Sequence, residues 1–141
     1  MRQARGITLV TVLIFVALTA GVYFLFAFGN AYWDNIEVNA ILRQGANECY
    51  REPADSVVRQ LIMNRLHDAF DVEVGDAFGR TEKRLPLVFD DSDLQIHRTQ
   101  VPRAVTISLT YHRKVKLPLV DQERVLTFND RTEQDLSPVK W

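Results

Sequence analysis

Three histidines, one cysteine and one tight acidic run have the most chemical reach in this 141-residue chain. A zinc site needs three or four ligands at set spacing. His97 and His112, facing each other across neighbouring strands, would supply two at most, and His67 stands apart in the sequence. With no Cys or His spacing to complete the set, solvated surface histidines are the expectation. Asp90, Asp91 and Asp93 gather three carboxylates, the raw material of a calcium site, but the twelve-residue loop with its terminal Glu is missing. A solvated turn is expected there. Cys49 has no second cysteine with which to form an intramolecular disulfide. It is expected to be buried as a small apolar residue, with a bridge between two copies or a modification as the alternatives. No G-x-S-x-G, H-E-x-x-H, Walker or dinucleotide string occurs, and Gly75-Asp76-Ala77-Phe78-Gly79 lacks the Lys-Ser/Thr of a phosphate loop. The sequence predicts no catalytic residue, no metal site and no cofactor.

The densest basic cluster is Arg113, Lys114 and Lys116, extended by Arg98, Arg103 and Arg124. A nucleic-acid interface would place such a stripe among aromatics. This chain instead balances 17 Lys and Arg against 18 Asp and Glu, so no nucleic-acid partner is expected. The cluster reads as a solvated strand face, an edge-blocking device or a contact for an acidic partner.

The elements that must position these residues begin with an uneven spread of charge. From Ile7 to Phe28 there are 22 consecutive uncharged residues, with only Arg2 and Arg5 before them. Downstream lie 15 bases and all 18 acids. A helix of that length reaches ~33 Å, enough for the hydrocarbon core of a bilayer. A cleaved secretory signal would have a shorter apolar region ending in small residues, whereas this run ends in Phe24, Phe26 and Phe28. The positive flank puts residues 1–6 in the cytoplasm and everything past about residue 30 on the other side. In a Gram-negative bacterium that means an inner-membrane protein with a periplasmic domain. Tyr32 and Trp33 stand where an interfacial aromatic belt belongs. Ala17 and Gly21, four apart, allow close approach of another helix, a partner's or a second copy's.

Beyond the span, Trp33, Ile36, Ala40, Ile41 and Gly45 recur at three- and four-residue steps, with Asp34, Glu37, Asn39, Arg43 and Gln44 between them. This predicts one helix from about residue 7 to Cys49, with Gly29-Asn30 as a kink point. Pro53 and Asp55 suit the start of a second helix, whose apolar stripe runs from Val57 to Phe70. Gly75, Gly79 and the charges around them mark a loop. After residue 84 the period falls to two. The clearest strand is Ala104 to Leu117, with Val105, Ile107, Leu109, Tyr111, Val115 and Leu117 on one face, and Arg113 alone breaking the alternation. Val125 to Phe128 returns, and residues 129–141 read as a polar, irregular tail.

The predicted organisation is therefore a leader (1–6), a transmembrane helix (7–28), a stem helix and linker (29–52), an α+β domain (53–128) with an antiparallel sheet of three to four strands, and the tail (129–141). Roughly 108 ectodomain residues suffice for one modest core.

Two stretches carry a resemblance. Arg5-Gly6-Ile7-Thr8-Leu9-Val10 resembles the processing site of type IV pilin-like proteins, which implies peptidase cleavage between Gly6 and Ile7. The Glu that filament-forming pilins usually carry at the fifth mature position is Thr11 here. The run Tyr32 to Val38, the helix near 53–70 and the strand ending Leu109-Thr110-Tyr111 before Lys116-Leu117-Pro118-Leu119 resemble an uncharacterised bacterial family, catalogued as a domain of unknown function. Its members are short single-span inner-membrane proteins with pilin-like amino termini. That resemblance implies an anchor with a small α+β domain and no activity. The expected function is a non-enzymatic accessory or assembly subunit of an integral membrane complex, in contact with lipid. The expected contacts run along Ala17, Gly21, Phe24, Tyr32 and Trp33. The alternative is a pseudopilin-type filament subunit processed after Gly6.

Overall fold

The apolar amino-terminal run continues without interruption into the head of the protein. A computed structural model describes residues 8–75 and 77–138, and in it helix α1 extends over Leu9–Glu48, 40 residues. At 1.5 Å per residue that is ~60 Å of helix. Thr8 caps its start: the side chain accepts a hydrogen bond from the Thr11 backbone N–H, and the two hydroxyls lie 2.8 Å apart. By length and composition α1 is able to cross a membrane. It stays helical through Gly29 and Asn30, where the sequence suggests a kink. Gly6 and Ile7, the cleavage junction expected from the leader resemblance, lie outside the described residues.

After a turn around Pro53, α2 covers Asp55–Phe70, with Asp55 in its first turn, where a negative charge meets the positive helix end. Its stripe is buried at Val58, Ile62, Leu66 and Phe70. A ribbon follows, β1 (Val72–Gly75) paired antiparallel with β2 (Thr81–Arg84). The sequence marks only the loop between them. Both strands are exposed along their whole length, so no alternation of apolar and polar residues betrays them.

The main sheet is organised around one long strand. It comprises β3 (Leu87–Val88), β4 (Leu94–Gln100), β5 (Arg103–Leu117) and β6 (Gln122–Asp135), all antiparallel. On one edge of β5, β4 and β3 lie end to end; on the other, β6 pairs along all of it, from Ala104↔Asp135 to Leu117↔Gln122. Asp90, Asp91 and Asp93 form a short 3₁₀ turn ahead of β4, where Asp90 and Asp93 cap each other's backbone. The architecture is thus α+β, an apolar amino-terminal helix and a second helix followed by small antiparallel sheets.

Residues 129–135 correct the sequence reading, because they continue β6 instead of forming an irregular tail. The inward positions of β6 change from Leu126 and Phe128 to Asp130, Thr132 and Gln134. The hydrophobic period disappears while the backbone pairing with β5 goes on.

The core lies between the sheet and the two helices. Val105, Ile107, Leu109 and Tyr111 of β5 meet Val38, Leu42 and Ala46 of α1 and Ile62 and Leu66 of α2. Each fully buried aliphatic side chain contributes about 1.5–3 kcal/mol. The buried stripe on α1 is not the predicted one. Ile41 and Gly45 are inside, but Trp33, Ile36 and Ala40 are exposed, and Ala27, Ala31 and Val38 take their place.

Gly45 marks the closest approach of α1 and α2. A Cβ built there would stand 2.6 Å from both Cγ1 and Cδ1 of buried Ile62. Gly45→Val should therefore destabilise the head by about 1–3 kcal/mol through overpacking, outweighing the few tenths gained in helix propensity. Gly29→Ala, with nothing within 4 Å of its Cβ, should instead stabilise α1 slightly. Thermal melts of the full-length variants in detergent would check both signs.

Candidate interaction surface

Where α1 leaves its apolar half, the residues facing the sheet become polar. Asn35 and Asn39 stand one turn apart, and both side-chain amides point at Asp130 on β6. Asn35 Nδ2 donates to Asp130 Oδ2 at 2.7 Å and to the Tyr111 hydroxyl at 3.1 Å. Asn39 Nδ2 donates to Asp130 Oδ1 at 3.0 Å and to the Asn35 carbonyl at 3.1 Å. Asp130 is only 8 % exposed, so these donors replace the water it loses. Next to them, Arg113 Nη2 comes within 2.6 Å of Asp34 Oδ2. The contact is one of charge and not an aligned hydrogen bond, and Arg113 Nη1 is buried with no hydrogen-bond partner among the described residues. Burial is also the main reason the Tyr111 hydroxyl is pushed up to about 12; the Asn35 bond opposes that shift, and the nearby Asp130 and Asp34 reinforce it.

A second set of bonds holds the far end of α1. Arg98 on β4 donates to the carbonyls of Cys49 (3.2 Å) and Glu52 (2.8 Å) and pairs with Asp55 at 2.6 Å. One guanidinium thus closes the end of α1 and meets the start of α2. Two members of the predicted basic cluster, Arg98 and Arg113, are therefore engaged inside the fold. Cys49 is buried, as expected, and burial pushes its thiol up, with the Arg98 charge pulling the other way.

The two histidines expected to face each other are separated. His97 stands opposite Thr106 on β5, whereas His112 pairs in register with Val88 and Thr127 and lies 2.9 Å from the Thr127 hydroxyl. Six residues of strand between Thr106 and His112 amount to ~20 Å. Among the described residues, no three His, Cys, Asp or Glu side chains gather closely enough to hold a metal ion.

On the flank of α1 beside β6, three of the five expected contact residues, Phe24, Tyr32 and Trp33, come together. Phe24, Leu25, Phe28, Tyr32, Trp33 and Ile36 line one shallow groove, closed at its edge by Leu126 of β6. The Phe24 and Phe28 rings stack 5.5 Å apart. Tyr32 meets Phe128 edge-on at 5.7 Å, and Phe128 stacks on Tyr111 at 5.2 Å, which joins the groove to the core. Trp33 is 71 % exposed and Ile36 63 %. Ala17 and Gly21 lie lower on the helix and outside the groove, with nothing within 4 Å of a Cβ at Gly21.

Sequence reasoning missed Asn35 and Asp130 and took Asn39 for part of the solvated face. Two signals were available. Arg113 breaks the alternation of β5 on its inward face, and Asn35 and Asn39 share the i, i+4 spacing that places two side chains on one helix face. Comparison with protein-family models, curated proteins and solved structures finds no match.

The Tyr111 shift carries a stability consequence with a definite sign. The unfolded phenol ionises near 10.0 and the folded one near 12, so between those values the unfolded state sheds a proton that the folded state retains. The stability contributed by protonated Tyr111 is complete below pH 10 and is lost as pH rises towards 12. Chemical denaturation of the wild type and Tyr111→Phe across that interval should show the wild type losing stability faster.

Proposed function

We propose that this chain is a non-enzymatic, single-span inner-membrane subunit. Its periplasmic head and helix face help to assemble or hold a larger integral membrane complex. The carrying observation is the apolar face of α1 that the head leaves uncovered. Ile36 stands eight residues, ~12 Å, beyond Phe28, whereas a headgroup layer adds only about 5–7 Å per leaflet to the hydrocarbon core. Lipid accounts for Tyr32 and Trp33 as an interfacial belt, but not for Ile36 above them. A partner with its own transmembrane helix would cover the lower face, through Ala17, Gly21 and Phe24, and the upper one together. Arg2 and Arg5 before the apolar run, against Arg43 alone among residues 29–48 after it, support a cytoplasmic amino terminus.

The test is retention of co-purifying chains in mild detergent. Gly21→Leu and Ile36→Lys should each strip the partner from the purified material while leaving the thermal melt of the head unchanged. Equal retention by the wild type and both variants would overturn this use of the face.

The unbroken helix favours a second reading, a pseudopilin-type subunit with α1 as its stem, since only the carboxy-terminal part of α1 is packed in the head. The intact mass of the native protein extracted from membranes separates the two. A chain beginning at Ile7 with a methylated amino group would establish prepilin-type processing, whereas a chain still carrying Met1 to Gly6 would leave the resident subunit.

A further inference from the structure

The head does not stop where the apolar run stops. Tyr23, five residues inside that run, donates its hydroxyl hydrogen to the Pro118 carbonyl at 2.8 Å. Pro118 opens the four-residue turn between β5 and β6. Eleven residues of helix from Asp34 down to Tyr23 cover ~16 Å, and five residues of strand from Arg113 to Pro118 cover ~17 Å. With Asp34 against Arg113 and Tyr23 against Pro118, the lower part of β5 runs down alongside the helix. Ala27 is accordingly the one buried residue among positions 8–28 of the apolar run.

The tip of the hairpin suits an apolar medium. Leu119 is 96 % exposed and Val120 53 %, and neither packs into the core. Leu119 and Asp121 both adopt positive φ, 77° and 50°, which turns the chain tightly. Pro118 brings no N–H, and its carbonyl is already satisfied by Tyr23, so two polar groups that lipid would leave unpaired are removed. Exposed Lys114, Lys116 and Arg124 flank the turn and are long enough to reach headgroups, with Glu123 beside them and Asp121 closing the turn next to β6.

We propose that this β5–β6 tip is a second membrane contact. Leu119 and Val120 enter the acyl boundary of the non-cytoplasmic leaflet of the bilayer that α1 crosses, and the surrounding charges stay at headgroup level. The proposal rests on the reading of α1 as a membrane anchor. Length decides in its favour. If the tip and Tyr23 stood in water, only Ile7 to Val22 would remain to span, ~24 Å against a core of ~30 Å. With the tip inserted, the whole run to Phe28 is available. The near balance of bases and acids around the tip points to apolar insertion and not to recognition of one anionic lipid.

The experiment is spin-label accessibility of the full-length chain in phosphatidylethanolamine/phosphatidylglycerol vesicles, with labels at Leu119→Cys, Val16→Cys as a reference within the span, and His97→Cys as a reference on the exposed sheet. The unsubstituted chain, whose Cys49 is buried, gives the background. The expected result is that the Leu119→Cys label collides with oxygen and loses collisions with a water-soluble nickel complex, as at Val16→Cys. A tip as open to nickel as His97→Cys, while Val16→Cys remains shielded, would overturn the second contact and leave the anchor standing. Nickel access at Val16→Cys would overturn both.

Discussion

The structure depends on a change of side-chain character along one helix. The lower half of α1 presents apolar side chains all round, and its upper half must dock on a sheet that buries a carboxylate. Asp130 makes that docking specific. Two amides one turn apart hold its two oxygens, and a shift of the helix by a single residue would remove both donors at once. Because unpaired buried polar groups are costly, the clamp fixes rotation and height where apolar packing alone would tolerate sliding. The Asp34–Arg113 pair beside it repeats the constraint with charge.

This arrangement reverses the usual polarity of a helix just outside its apolar run. Asp34, Asn35 and Asn39 turn towards the sheet, while Trp33 and Ile36 turn away from it. An outward indole and an outward isoleucine on a helix with polar groups to spare are not a by-product of composition. They are what remains when the inward positions are reserved for Asp130 and Arg113, and they leave an apolar surface that the chain itself does not cover.

Legibility in the sequence follows from how each element is solvated. Strand β5 and helix α2 were readable because each has one packed face, so Val105, Ile107, Leu109 and Tyr111 alternate and Val58, Ile62 and Leu66 recur at helical steps. The stem was readable as a helix but wrongly phased. A hydrophobicity pattern assigns Trp33 inside and Asn39 outside, and only knowledge of Asp130 reverses that. The last seven residues of β6 were illegible because their inward side chains, Asp130, Thr132 and Gln134, are polar and break the hydrophobic alternation while the pairing with β5 continues. The expected contact residues Phe24, Tyr32 and Trp33 do share a surface, whereas the expected pairing of His97 with His112 required a register that β4 and β5 do not have.

The bond from Tyr23 to Pro118 and the Asn35–Asn39–Asp130 clamp grip α1 at two heights, and Arg98 closes its end at a third. A helix held at one point can swivel beneath its head; a helix held at three behaves as a keyed shaft. The compass bearing of the sheet is locked to that of every residue on the lower helix. Whatever grips the Ala17–Gly21 side therefore also sets the direction in which β6 and the Trp33 ring face, because α1 runs unbroken from one to the other.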